Sequence, residues 1–233
     1  MADNLHEECG IFGSYDKSQL GSIASTVYYG LFALQHRGQE AAGIAINHNR
    51  DIKLIKGLGL VSDVFKDIQL ADYPGEIAVG HVRYGANPFS GVEYAQPITV
   101  NYAKGNITVA YNGNISNGKA LRERLENQGA IFHSRNDSET VCYMLAHERL
   151  NSKNMEEAVA KVVPKLKGAF SMIIMCPTKL IAVRDKLGVR PLCMGKIKDS
   201  IIFASETCAL ETVGAKFERD IEPGEICIVT RDG

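Results

Sequence analysis

The chain has 233 residues, a formal net charge of −1 and 45% hydrophobic residues. That balance fits one large soluble domain or two small ones and offers no basic surface for nucleic acid or membrane headgroups. No apolar run reaches the eighteen or so residues of a membrane span, and the acidic opening MADNLHEE lacks the basic start and apolar core of a secretory signal.

The strand candidates, in chain order, are CGIFGS from Cys9, AAGIAI from Ala41, IKLIK from Ile52, EIAVGHVR from Glu76 and NITVAYN from Asn106. AFSMIIM from Ala169, KLIAVR from Lys179, IIFAS from Ile201 and EICIVT from Glu225 complete the set. Each is short and rich in β-branched or aromatic residues. Helical spacing covers about 22–36, 119–127, 138–150 and 155–166. In the second of these, Leu121 and Leu125 form an i, i+4 buried stripe against a charged face. Strands and helices come in clusters, and late strands are joined by tight turns at Pro177-Thr178 and Lys198-Asp199. This order predicts antiparallel pairing and an α+β layered fold rather than a doubly wound sheet. Segment 83–97, rich in Gly and Pro at a strand end, reads as a surface loop or as a lid over a site. Gly57-Leu58-Gly59 imitates the start of a dinucleotide fingerprint, but Ser62 stands at the third glycine position and no acidic ribose contact follows.

The six cysteines form no CxxC pair and no Cys/His cluster with zinc spacing, so reduced thiols, a cytoplasmic setting and no bound metal are expected. Cys9 stands apart because of its position. Cleavage between Glu8 and Cys9 would place a thiol and a free α-amine on one residue. That amine, with a pKa of roughly 7.7–8.0, could act as the base for its own side chain. While Glu8 stays attached the nitrogen is an amide, so the leader 1–8 would be an off-switch. The competing reading is a buried core thiol on the first strand. Gly10 would let another group approach the nucleophile closely.

Three other segments carry chemistry, each with a plainer reading beside it. Arg83 in GHVRYG is a strand-end charge or a bidentate carboxylate clamp. Asn112-Gly113 in YNGN is a type I′ hairpin turn or a pair of donors for an oxyanion. Asp137 in NDSE is a helix N-cap or a partner for an ammonium. Together they describe one ligand, a free amino acid with a side-chain amide, and one reaction, thiol-mediated hydrolysis of glutamine with release of ammonia.

The motifs resemble the glutaminase domain of the amidophosphoribosyltransferase family, class II amidotransferases with an N-terminal nucleophile. The resemblance runs from Cys9 to the last residue through CGIFG, LQHRGQEAAGIA (34–45), GLVSDVF (59–65), GHVRYG, YNGN, NDSE, LGVRPL (187–192), SETCAL (205–210) and EPGE (222–225). It implies a four-layer αββα sandwich of antiparallel sheets, with a leader at 1–8 and one glutaminase domain at 9–233. It also implies catalytic Cys9, Asn112 and Gly113, glutamine held by Arg83 and Asp137 with Arg37 supporting the pocket, processing between Glu8 and Cys9, and segment 83–97 as the glutamine loop. The partner would be a phosphoribosyltransferase domain, which the chain, ending at Gly233 with no Asp-Asp pair, is expected to lack. No cofactor is expected here: Mg²⁺ with phosphoribosyl pyrophosphate, or an iron–sulfur cluster, would belong to the missing half. A full-length protein would be a homo-oligomer, a dimer or tetramer.

Many relatives carry a Thr after RY where this chain has Gly85-Ala86, which removes a hydroxyl contact to glutamine. Two alternatives stand beside the glutaminase: a non-catalytic interaction module in which LGVRPL and SETCAL form an exposed apolar interface, and a cysteine hydrolase for another amide. Leader removal is the first testable consequence. The intact mass of the purified chain is expected to lack residues 1–8, and a mass that retains them would mean that the chain has not matured at Cys9.

Overall fold

The computed structural model describes residues 9–17, 22–85 and 91–233. The leader, Glu8 of the processing site and Ala86 lie outside the described residues. Among the described residues, twelve strands form two antiparallel sheets. The first sheet has the order β11-β9-β10-β1-β4-β2-β3. Its strands are β1 (Gly10–Tyr15), β2 (Ala41–His48), β3 (Asp51–Leu58), β4 (Ile77–Arg83), β9 (Cys193–Ile197), β10 (Ser200–Ala204) and β11 (Lys216–Asp220). The second has the order β12-β8-β7-β6-β5. It holds β5 (Ile98–Tyr102), β6 (Gly105–Ile115), β7 (Gly168–Cys176), β8 (Lys179–Arg184) and β12 (Ile226–Val229).

Side-chain alternation along the strands builds the layers. In β1 and β4, Ile11, Tyr15, Ile77 and Val79 point toward Ala110, Ile173 and Met175 of the second sheet and form the core between the sheets. Phe12, Ala78 and Val82 point the other way, against α1 (Ile23–Ala33) and α6 (Thr207–Thr212). On the far side, Ile107, Val109 and Tyr111 of β6 pack against α3 (Gly118–Glu126), α4 (Asp137–Leu150) and α5 (Met155–Val162). A period of two along each strand therefore yields three apolar layers and an αββα sandwich.

All nine expected strands and all four expected helices are present, with the ends of the helices near 22–36 and 155–166 drawn out as 3₁₀ turns. Leu125 is buried and Leu121 packs partly against the same core, as the stripe in α3 requires. Three strands and two short helices, α2 (Val61–Val64) and α6, were not evident from composition. Asn112-Gly113 is no hairpin turn; it lies inside β6, opposite Ser171 and Phe170 of β7. Gly10 also answers to packing rather than chemistry, because a Cβ there would meet Val82 Cγ2 at 2.8 Å and Leu34 Cβ at 3.0 Å.

Helix α1 seats on β1 through Gly30, where an added Cβ would overlap the fully buried Phe12 ring. Gly30→Ala gains roughly 1 kcal/mol of helix propensity, but overpacking a fixed core costs about 1–3 kcal/mol. The overlap is with the body of a ring that has no exposed edge, so the loss is expected to win and the urea midpoint to fall. An unchanged or higher midpoint would show that α1 can slide off β1.

Candidate active site

The polar residues of interest sit where the apolar layer between the sheets ends. On β4 the inward series Ile77, Val79 continues through His81 to Arg83, and on β6 the series Thr108, Ala110 continues to Asn112. Cys9 immediately precedes β1, the neighbour of β4. Three strand ends thus converge on one edge of the sandwich, and the alternation of each strand aims its polar residue there.

Cys9 is partly exposed, and the Tyr84 backbone N–H donates to its Sγ at 3.4 Å. Arg37 Nε donates to the Cys9 carbonyl at 3.2 Å, which ties it to the Cys9 backbone. Arg37 is held in turn by Glu206, with Nη1 to Oε1 at 2.5 Å, and His36 shares the other carboxylate oxygen at 3.1 Å. Burial pulls the Glu206 carboxyl up, but Arg37 and His36 outweigh it and leave the group below the usual carboxylate range. Ser205, beside it, accepts from the Ile11 N–H through Oγ and donates its own N–H to the Ile11 carbonyl, each at 3.0 Å. SETCAL is therefore largely an internal brace for the Cys9 strand rather than an exposed interface.

Asn112 is fully buried, and neither its Nδ2 nor its Oδ1 has a hydrogen-bond partner. A buried, unpaired amide is costly, roughly 1–3 kcal/mol, and marks a group awaiting a ligand. Gly113 has φ +145°, and a Cβ there would overlap the Ala169 carbonyl and approach the Phe170 Cα at 2.6 Å. Only glycine lets β6 keep this path against β7.

Arg83 is buried and pairs through Nη1 with Glu40 Oε1 at 3.1 Å, and its guanidinium lies 5.5 Å from the centre of the Tyr94 ring. The guanidinium fork carries five N–H donors, and the Glu40 pairing orients it. A Cβ at Gly85 would overlap the Glu40 carboxylate; the space that a larger residue would take at this position holds the arginine's partner.

Asp137 is the first residue of α4, not its cap. Asn136 is the N-cap, its side chain accepting from the Ser138 N–H at 3.2 Å. The Asp137 carboxylate instead accepts from the Ile115 N–H at 3.2 Å, and Gly118 leaves it room. Burial raises its pKa, while the Ile115 N–H and the nearby Tyr111 hydroxyl draw it part of the way back. Tyr111 is pushed up by burial first, then by the negative charges of Asp137 and Cys9. The residues expected from the sequence, Cys9, Arg37, Arg83, Asn112, Gly113 and Asp137, lie toward one end of the sandwich. Glu40, Glu206, Ser205 and Gln96 are additions that spacing could not supply, since each acts across a long sequence separation.

A thiol, an unpaired buried amide and an Arg/Asp pair at one end of an αββα sandwich define the class. A family model described as a glutamine amidotransferase domain matches residues 89–212, more than half of the chain, and the chain belongs to that family. It is 48% identical to the amidophosphoribosyltransferase of Methanocaldococcus jannaschii over 97% of this chain and 47% of that protein. It is 38% identical to the Bacillus subtilis enzyme of the same name over 98% of this chain and 47% of that one. The solved structure of glutamine phosphoribosylpyrophosphate amidotransferase from B. subtilis superposes with a TM-score of 0.88 at 37% identity, covering 97% of this chain and 48% of that one. The chain spans about half the length of the relatives it matches.

The raised Asp137 pKa has a consequence for stability. A carboxyl whose folded pKa exceeds its unfolded value costs stability when ionised; the cost is full above the folded pKa and vanishes below the unfolded one. The helix N-terminus offsets part of it. Asp137→Asn is expected to raise Tm at pH 7, with the gain fading as pH falls through the raised folded pKa and gone below the unfolded value of about 4. A Tm series from pH 3 to 7 checks the sign, and a gain that grows on acidification would contradict it.

Proposed function

We propose that the chain is the glutaminase half of an amidophosphoribosyltransferase, hydrolysing glutamine through the Cys9 thiol and supplying ammonia for phosphoribosylamine formation from phosphoribosyl pyrophosphate, the first step of de novo purine synthesis. The observation that carries this reading is Asn112, buried with its amide unpaired at the end of the strand layer that also presents Cys9 and Arg83.

Removal of the leader frees the Cys9 α-amine, which takes the thiol proton. The thiolate attacks the side-chain carbonyl carbon of glutamine, and the carbonyl electrons move onto oxygen. The Asn112 amide and the Gly113 N–H donate to that oxyanion, where preformed donors in a dry site are worth most. Collapse breaks the C–N bond, the α-ammonium gives its proton to the departing nitrogen, and ammonia leaves a γ-glutamyl thioester on Cys9. Water, deprotonated by the same amine, attacks the thioester and releases glutamate and the thiol. Arg83 holds the α-carboxylate of glutamine and Asp137 its α-ammonium, so the free amino acid is selected over a peptide. Arg37, braced by Glu206, fixes the Cys9 carbonyl and with it the direction of the thiol.

The partner is a phosphoribosyltransferase domain. The exposed Leu187 and Val189 of LGVRPL support this, as they give that domain an apolar edge to cover. Mg²⁺ with phosphoribosyl pyrophosphate, and any iron–sulfur cluster, belong in this reading to the partner domain; among the described residues no group of three or more His, Cys, Asp or Glu is placed to hold a metal ion. No helix among the described residues is long and apolar enough to cross a membrane, and the proposed setting is the cytoplasm, with the full-length protein a homo-oligomer.

Ammonia release from glutamine by the matured chain tests the reading. Cys9→Ala is expected to abolish it. Asn112→Ala is expected to lower kcat by about 10²–10³ while KM stays within a few-fold, because the lost donor serves only the transition state. Hydrolysis that survives Cys9→Ala would overturn the proposal.

A further inference from the structure

One buried polar cluster remains without a role in the chemistry above. His81 on β4 is fully buried, and its Nε2 lies 3.0 Å from the Tyr111 carbonyl of β6, across the space between the sheets. Gln96 is also buried. Its Oε1 accepts from the Tyr111 N–H at 2.9 Å, and its Nε2 donates to the Tyr111 carbonyl at 3.2 Å. His81 Nδ1 has no partner; with its proton on Nε2 the ring donates to the Tyr111 carbonyl, and Gln96 Nε2 lies 3.1 Å from the same nitrogen. Burial drives the His81 pKa down to about 3, so the ring stays neutral throughout the working range. Both backbone groups of Tyr111 are thus taken by side chains, three hydrogen bonds on the one peptide position before Asn112.

Gln96 is itself held on all sides. Gly43 of β2 makes room for its carbonyl, since a Cβ there would overlap that oxygen. The two residues before it are tied down as well. Lys56 Nζ donates to the Ala95 carbonyl at 2.7 Å, and Asn136 Nδ2 donates to the Tyr94 carbonyl at 3.2 Å. Asn136 is the cap immediately before Asp137, and the Tyr94 ring lies against Arg83. One three-residue stretch therefore touches the supports of the Arg83, Asp137 and Asn112 positions. β5 pairs with β6 only from Ile98↔Val109 to Tyr102↔Gly105, so Tyr111 lies beyond its register, and Gln96 and His81 take the backbone groups that β5 leaves open.

We infer that Gln96 and His81 are positioning residues for glutamine hydrolysis: by clamping both backbone groups of Tyr111, His81 from the opposite sheet and Gln96 from the stretch just before β5, they fix the aim of the Asn112 amide and the Gly113 N–H at the oxyanion. The inference rests on the glutaminase reading above. It makes a transition-state prediction, because a donor displaced by even an ångström loses the developing charge while the substrate's amino-acid end stays bound.

The test uses the matured chain and two readings, steady-state glutamine hydrolysis and the rate at which iodoacetamide alkylates Cys9. Alkylation forms no tetrahedral oxyanion, so it reports the nucleophile and the fold without the clamp. Gln96→Met keeps the side chain's length and removes its hydrogen bonds. It is expected to lower kcat about 10- to 100-fold, leave KM within about threefold, and leave the alkylation rate at the wild-type value. His81→Leu is expected to behave alike, and His81→Gln, whose amide can again donate to the Tyr111 carbonyl, to recover most of the loss. Unchanged kcat in Gln96→Met and His81→Leu would overturn the clamp and leave the glutaminase reading intact. A fall in alkylation parallel to kcat, a loss confined to KM, or a His81→Gln variant no better than His81→Leu would also overturn it, by showing a general structural role. Wild-type chain with neither hydrolysis nor Cys9 alkylation would overturn both readings together.

Discussion

The rest of the structure depends on the face-to-face packing of β1 and β4 against β6 and β7. A strand turns its side chains alternately up and down, so one register decision settles which residues of all four strands meet. Here it buries Ile11, Val79, Ala110 and Ile173 between the sheets. The same alternation, carried four residues past Val79 and two past Ala110, delivers Arg83 and Asn112 to the edge of that layer. A slip of one residue in β6 would turn Asn112 toward the helices and Tyr111 toward Cys9. The site is in this sense a by-product of apolar packing, and the stability of the sandwich fixes its geometry.

Two of the arginines at this edge are ion-paired. Arg37 is neutralised by Glu206 and Arg83 by Glu40. Ser171 next to Asn112 spends its hydroxyl on the Arg190 carbonyl at 2.8 Å, which seats the LGVRPL loop beside the oxyanion strand. The Asn112 amide is left unpaired in both its atoms. The Asp137 carboxyl sits buried enough to resist ionisation. Both are unfavourable in the folded chain alone and, in the proposed function, favourable once an amide oxygen and an ammonium arrive. This is the usual trade of stability for preorganised binding.

Much of this was legible in the sequence. Strands such as IKLIK and AFSMIIM announce themselves through β-branched and apolar runs, and the helices through their spacing. The missed strands each lack that signal. β11 is KFERD, an exposed and charged edge; β9 is CMGKI, with a glycine and little β-branching; β5 follows Pro97 directly and is hidden in what reads as a loop. The four chemical motifs were visible as residue types, but their roles were not separable from plainer ones. An Asn-Gly pair is most often a turn, and only the long pairing of β6 with β7 shows it to be mid-strand. The supports of the site were invisible for a different reason. Glu206 meets Arg37 across 169 positions and Gln96 meets Tyr111 across 15, and nothing local marks such partners.

The central claim is that Cys9 becomes acylated by glutamine. Rapid mixing of the matured chain with glutamine, an acid quench and intact-mass measurement test it directly. The account predicts a γ-glutamyl adduct that maps to Cys9, forms before glutamate appears free in solution and accumulates when hydrolysis is slowed. Glutamate and ammonia released with no adduct at any time, or an adduct on another cysteine, would contradict it.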